Sequence, residues 1–328
     1  MKGKGIEKMI KIQERDDNFL RLLGKYGVLN NTTIKRIYGN KKRYHRYRKK
    51  LLEDEKYIVK NNKHAWLGVE GKRYLEFLGI EKIKQLNGSK DTKERLGKIS
   101  EILVPLHGVY DCYPSWELKD MSSLGDRNLQ FYGQIVNRYT KKGYYIYNVG
   151  GIRTRKYVDK GIRLKRLQIK RIKDEIVQNA QIGRLNRTII LVEDGLTIQV
   201  YKSGLESLDV AEQLLIPFND SGIELLKELG NRNIKKEAIE YLYGKEYGMP
   251  NWKYADYTVE GDKQAIVLIN NDGEKLIRIK QNQAINQFNF AKGNTLLVVC
   301  LEGQKKSFKK DLGEIEIKTV PNNFVYSS

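Results

Sequence analysis

Residues 40–68 read Asn40-Lys-Lys-Arg-Tyr-His-Arg-Tyr-Arg-Lys-Lys-Leu-Leu-Glu-Asp-Glu-Lys-Tyr57-Ile-Val-Lys60-Asn-Asn-Lys-His64-Ala-Trp-Leu-Gly68. Asn40 can cap a helix over 41–55, because its side-chain oxygen can accept from the first free backbone amides. On that helix Tyr44, Tyr47, Leu51 and Leu52 share one stripe, and Lys42, Arg43, Arg46, Lys49 and Lys50 cover the opposite side. Two short β-prone runs, 57–60 and 64–68, follow. The polar Asn61-Asn62-Lys63 between them marks a hairpin with a cationic tip.

Upstream, Arg15-Asp-Asp-Asn18 leads into Phe19, Leu20, Leu22, Leu23 and Tyr26 at helical spacing, with Gly24 or Gly27 able to end the helix. Asn31 or Thr32 can cap a short second helix holding Ile34, Ile37 and Tyr38. Downstream, Val69 to Leu78 is amphipathic and stops at Gly79. Helix, helix, helix, hairpin, helix is the order of a winged helix-turn-helix. In such a domain the third helix enters the major groove and the wing touches the backbone or minor groove. That assigns base contacts to Arg43 and Arg46, whose guanidinium forks match the O6 and N7 edges of guanine. Lys41, Lys49 and Lys50 are expected on phosphates, Lys42 among the DNA contacts of the outer face, His45 on DNA or in the packing of the helix, and Lys60, Asn61, Asn62 and Lys63 at the wing.

Arg15-Asp16, Leu22-Leu-Gly-x-x-Gly27, the arginine-rich third helix with Leu51-Leu52, and Leu67-Gly-x-x-Gly71 resemble the replication-relaxation family. These are winged-helix proteins of plasmids and conjugative elements. The likeness covers residues 15–80; 96–103 and 143–150 are similar to segments of Gram-positive members. It implies a DNA-binding role in replication or transfer of a mobile element, at an origin or related repeat. A transcriptional regulator on an operator is the alternative.

Charge agrees with a polyanionic partner. The 328 residues carry a net +21. Residues 1–90 hold 24 Lys/Arg against 10 Asp/Glu, and 141–173 hold 12 against 1, so two segments contain the whole surplus. Such segregation is an electrostatic footprint for nucleic acid. In the second block Ile162, Leu164, Leu167, Ile169 and Ile172 can pack a helix or hairpin onto the sheet, leaving Arg163, Lys165, Arg166, Lys170 and Arg171 largely outside, and Arg153, Arg155, Arg163, Lys165 and Arg166 are the candidates for a second DNA contact.

The reading is therefore a mixed α/β protein: a winged helix-turn-helix over 1–82, a linker over 83–98, and an α/β domain with a central sheet over 99–328; Asp91 and Glu94 have capping-box spacing for a helix carrying Leu96, Ile99, Ile102 and Leu103. The α/β domain is expected to support a second DNA contact, homo-oligomer assembly or docking of replication or transfer proteins. Strands are predicted at 131–136, 144–149, 188–193, 198–202, 213–218, 264–269, 295–301 and 313–318, and helices at 159–180, 221–229, 234–242 and 274–288, with no repeat. Lacking any apolar run near the ~18 residues of a membrane span, and any signal peptide, the chain is expected in the cytoplasm.

Signatures of catalysis are few. No Gly-Lys-[Ser/Thr] phosphate loop and no His-hydrophobe-His metal pair occurs, and Cys112 and Cys300 read as small buried hydrophobes. No cofactor, metal or catalytic residue is assigned. The alternative from another class is a magnesium nuclease with a restriction-endonuclease-like core. It would use Glu117-Leu-Lys119, or Glu316-Ile-Lys318 with Asp311 or Asp262, as carboxylates and water-steadying lysine.

Overall fold

The computed structural model describes residues 11–39, 43–86, 89–121, 130–152, 158–181, 183, 186–204, 206–286 and 295–326. The chain is mixed α/β, as predicted, and divides into two units, Met1–Gly108 and Val109–Ser328.

In the first unit α1 (Glu14–Tyr26) opens with Glu14, Asp16 and Asp17, acids that complement the positive end of its dipole, and closes at Gly27, whose φ of +77° suits glycine. The short β1 (Leu29–Asn30) ends in the cap of α2 (Asn31–Ile37). The cap is Asn30, one residue earlier than predicted, and it accepts from the Thr33 amide at 2.8 Å. Then follow α3 (Tyr44–Asp54), β2 (Ile58–Lys60), β3 (His64–Leu67) and α4 (Val69–Phe77). The strands form an antiparallel sheet in the order β1-β3-β2. Phe19, Leu20, Leu23, Leu29, Ile34 and Leu52 are fully buried between helices and sheet. A Cβ at Gly71 would lie 2.1 Å from the Tyr57 carbonyl oxygen, so only glycine lets α4 sit this close to the hairpin.

The unit extends further than the sequence suggested. Residues 90–98, placed within the linker, begin α5 (Lys90–Leu103), the helix that the Asp91–Glu94 spacing predicts, and it packs against α1, α2 and β1 through Leu96, Ile99, Ile102 and Leu103. Ahead of it, the Lys84 amide donates to the Gly24 carbonyl at 2.7 Å. Backbone bonds of that kind leave no periodic trace, which is why the polar stretch reads as a loose connection.

The second unit holds two five-stranded sheets where one central sheet was expected. The first half runs β4 (Tyr110–Pro114), α6 (Ser115–Met121), β5 (Phe131–Asn137), β6 (Gly143–Gly150), α7 (Val158–Gln181), β7 (Arg187–Val192), α8 (Gly195–Ser203), β8 (Glu212–Pro217) and α9 (Asp220–Asn231). The second half runs α10 (Ile234–Tyr243), β9 (Tyr247–Gly248), β10 (Tyr257–Val259), β11 (Lys263–Val267), α11 (Gly273–Asn286), β12 (Leu296–Leu301), α12 (Lys305–Leu312) and β13 (Glu316–Val320). Spatial order follows chain order in both sheets. In each, three strands form an antiparallel meander and two more join in parallel, each after a helix. The halves thus repeat one topology, although no sequence repeat announces it.

Predicted strands and helices recur here within a few residues, with one reversal. Residues 198–202, read as a strand from Ile198, Val200 and Tyr201, lie in α8. Asp194 caps that helix by accepting from the Thr197 amide at 2.7 Å, and Tyr201 is fully buried in the core beside α7. Tertiary burial overrides the β-propensity of those residues.

Apolar cores line both sheets: Tyr147, Ile172, Ile176 and Ile190 in the first half, Ile266, Ile279, Val298 and Phe308 in the second. The halves meet in a chain of charges. Lys235 lies 3.5 Å from both Glu212 and Asp256, and Lys275 reaches Asp256 at 2.5 Å. Burial, the largest single influence, pushes the carboxyls of Glu212 and Asp256 up, but the cations and hydrogen bonds around them together hold both below their ordinary values: Lys235, Tyr144, Lys142 and Arg187 for Glu212, and Lys235, Lys275 and the Val267 amide for Asp256. Among the described residues no helix is long and apolar enough to cross a membrane.

Candidate nucleic-acid interface

The inner face of α3 is set by charge as well as by apolar contact. His45, Arg48, Lys49 and Leu52 are its buried residues. Arg48 donates through Nε to Oδ1 of Asp16 at 3.2 Å and through its terminal nitrogen to the other oxygen, and Asp16 is fully buried on α1. The Tyr38 hydroxyl donates to the same carboxylate at 2.7 Å; burial, reinforced by Asp16, raises the pKa of that phenol. This rotates the helix relative to the predicted stripe. Tyr47, expected inside, is 60% exposed. Sequence patterning places arginine outside by default, and a buried carboxylate partner overturns that default.

The outer face then carries Arg43, Arg46, Tyr47 and Lys50, all exposed and spaced three or four residues apart on a single stripe. Lys49, predicted on a phosphate, is buried, and its Nζ donates to Oδ1 of Asn31 at 2.7 Å. Burial, then Lys60, lowers its pKa. His45 is 3% exposed and belongs to the packing. Lys41 and Lys42 lie outside the described residues.

The hairpin tip is tied to the helices. Nδ2 of Asn31 donates to the Asn62 carbonyl at 2.7 Å, so one asparagine joins α3 to the tip through two hydrogen bonds. Lys60 pairs with Glu53 on α3. Asn61 shapes the turn, its Oδ1 accepting from the amides of Lys63 and His64 at 2.8 and 2.7 Å. Lys63 and the Asn62 side chain remain exposed.

Beside the tip, Asn61, Asn62, Lys63, His64, Lys90 and Lys93 border an open hollow of about 540 Å³. Lys93 also stands 4.2 Å from the centre of the Trp66 ring. Burial lowers the His64 pKa, Lys63 and Lys93 add to that, and Glu94, which also borders the hollow, opposes it. Sequence reading placed a helix here from Asp91, Glu94 and the apolar Leu96 and Ile99, but assigned no DNA contact to Lys90 or Lys93, because nothing local shows that the helix brings them beside the hairpin tip.

In the second unit Arg163 and Arg166 are exposed on α7. Lys165 turns inward, its Nζ donating to the Val149 carbonyl and to Gln168. Arg153 and Arg155 lie outside the described residues.

The structure places the two nuclease triplets on different kinds of element. Glu117 is on the helix α6, not on a strand. Glu316 and Lys318 are on β13, but Lys318 pairs with Glu260 and Glu316 with Lys263, which also holds Glu260. Lys263 and Lys318 together hold the Glu260 carboxyl down to about 2. Asp311 pairs with Lys202 at 3.2 Å. Among the described residues no group of three His, Cys, Asp or Glu side chains could hold a metal ion. Cys112 and Cys300 are buried, and burial pushes the Cys300 thiol up to about 11.

No protein-family model, curated protein or solved structure matches this chain.

Proposed function

We propose that the chain binds duplex DNA, with residues 14–77 acting as a winged helix. In this reading α3 lies in the major groove and the β2–β3 tip rests on the backbone. The observation that carries it is the outer stripe of α3. Arg43, Arg46, Tyr47 and Lys50 face solvent, while the helix's other basic residues, Arg48 and Lys49, are engaged inside. The order of elements, the β1-β3-β2 sheet and the surplus charge of residues 1–90 support the same reading. Arginines suit base edges and the lysines of the tip suit phosphates.

The resemblance to the replication-relaxation family supports a role at an origin or transfer repeat of a mobile element, in the cytoplasm where that DNA resides. Selection of duplexes from a random pool, followed by protection mapping on the recovered sequence, tests the reading. A recovered motif protected by the parent chain, and lost with Arg43→Ala or Arg46→Ala, is the expected result. A pool that yields no motif would overturn sequence-specific binding.

A further inference from the structure

The second block of positive charge has its own geometry. The side of α7 that meets the sheet carries Ile169, Ile172 and Ile176, packed with Tyr147 and Ile190. Lys165 and Lys173 are anchored on that side too, Lys173 donating to the Gly204 carbonyl and pairing with Glu206 at 3.0 Å. These contacts fix the helix's rotation.

What faces outward is therefore settled: Lys160, Arg163, Arg166, Lys170 and Arg171 are all exposed, with the exposed acids Asp159 and Asp174 on the same face just beyond the two ends of the row. At 3.6 residues per turn the five cations fall within an arc of about 140°, and at 1.5 Å per residue they span about 17 Å.

The five are also unpaired with any described acid, and that is unlike their surroundings. Arg187, Lys202, Arg232, Lys263, Lys275 and Lys318 in the same unit each lie within 3.5 Å of a carboxylate. A unit that neutralises so many cations locally leaves an ordered row of them on one helix.

We infer that this face of α7 is a second, sequence-independent surface for duplex DNA. Duplex DNA carries one charge per about 1.7 Å of axis, so about 17 Å presents about ten phosphates, roughly half of them on the near side. Five cations match that number. Leu164 and Leu167, 57% and 51% exposed on the same face, would meet the sugars between phosphates. This surface shares its ligand with the proposed function and rests on the duplex part of that reading, but not on α3 or on any preferred sequence.

The test uses the full chain with Arg163→Glu, Arg166→Glu and Lys170→Glu combined, all three side chains being exposed. Circular dichroism confirms that the fold is kept. Binding to the selected duplex and to a scrambled one is followed by fluorescence anisotropy over a range of salt. Affinity for both should fall by the same factor, about tenfold or more in low salt, leaving their ratio unchanged. The slope of log affinity against log salt should flatten by roughly three units, one per lost phosphate contact. Unchanged affinity for both duplexes would overturn the inference. So would unchanged DNA binding with loss of binding to phosphatidylglycerol vesicles, which would assign the face to anionic lipid. A parent chain that shows no preference between duplexes, yet is weakened by the α7 changes, would remove the α3 reading and keep this one.

Discussion

Arg48 on α3 and Asp16 on α1 form an ion pair with both side chains out of solvent, and the pair fixes which residues of α3 face outward. Removing one partner leaves the other charge buried and uncompensated. Asp16→Ala is expected to cost about 3–5 kcal/mol, measured by urea unfolding. The double variant Asp16→Leu with Arg48→Met should recover much of that loss, since no buried charge remains. A double variant as unstable as the single one would mean that the pair's hydrogen-bond geometry, not charge balance, dominates.

The same rotation separates reading from holding. Arg43→Ala and Arg46→Ala should each lower affinity for the selected duplex by about 1–3 kcal/mol and relax the preference at one base pair. Lys63→Ala should weaken selected and scrambled duplexes equally. Equal losses on both duplexes for the two arginines would reduce them to phosphate contacts.

Asn31 gives a sharper test, because it touches α3 and the tip at once. Asn31→Ala removes two hydrogen bonds, one to a charged donor, and should destabilise the first unit by about 2–3 kcal/mol in thermal or urea unfolding. Lys90→Ala with Lys93→Ala, by contrast, should leave stability within about 0.5 kcal/mol and flatten the salt dependence of DNA binding.

Acid should act on the seam between the two halves of the second unit. Glu212 and Asp256 are held below their ordinary pKa values, so in the folded chain they bind protons less readily than when unfolded. Their stabilisation is full above the unfolded values of roughly 4 and is lost as pH falls through the depressed folded ones. Lys235→Met removes the cation common to both, and the acid unfolding midpoint should move to higher pH. An unmoved midpoint would show that these carboxylates do not control acid stability.

Supercoiled DNA bearing the selected site should stay uncut with magnesium or manganese at full occupancy, because Glu316 and Lys318 are engaged with Lys263 and Glu260. Nicking that vanishes in Glu316→Ala, with binding intact, would instead assign catalysis to β13.

Much of the first unit was legible because its signals are local: apolar spacing at Phe19 to Tyr26, a polar tip between two β-prone runs, glycine at Gly27 and Gly79. The rotation of α3 was not, since it depends on Asp16 lying 32 positions away from Arg48. Lys49 looked like its neighbours Arg46 and Lys50, and only the position of Asn31 distinguishes it. In the second unit the apolar strands Ile189 to Val192 and Leu296 to Cys300 were plain, but β9 has only two residues and β10 three, too short for any periodicity. Without them the second sheet merges with the first in a reading of the sequence.

The twofold use of one topology has a consequence for how the chain reaches its native state. During folding two meanders form, and the edge of each can accept a parallel strand from either half. Ile189-Ile-Leu-Val192 and Leu297-Val-Val-Cys300 are both wholly apolar, so side chains alone discriminate weakly between correct and exchanged partners. Diluted from denaturant, both hosts and both guests are present together, and mispaired or intermolecularly swapped species compete with the native pairing. On the ribosome the first meander meets β7 and β8 before the second has emerged. Order of synthesis supplies a discrimination that the strands themselves lack.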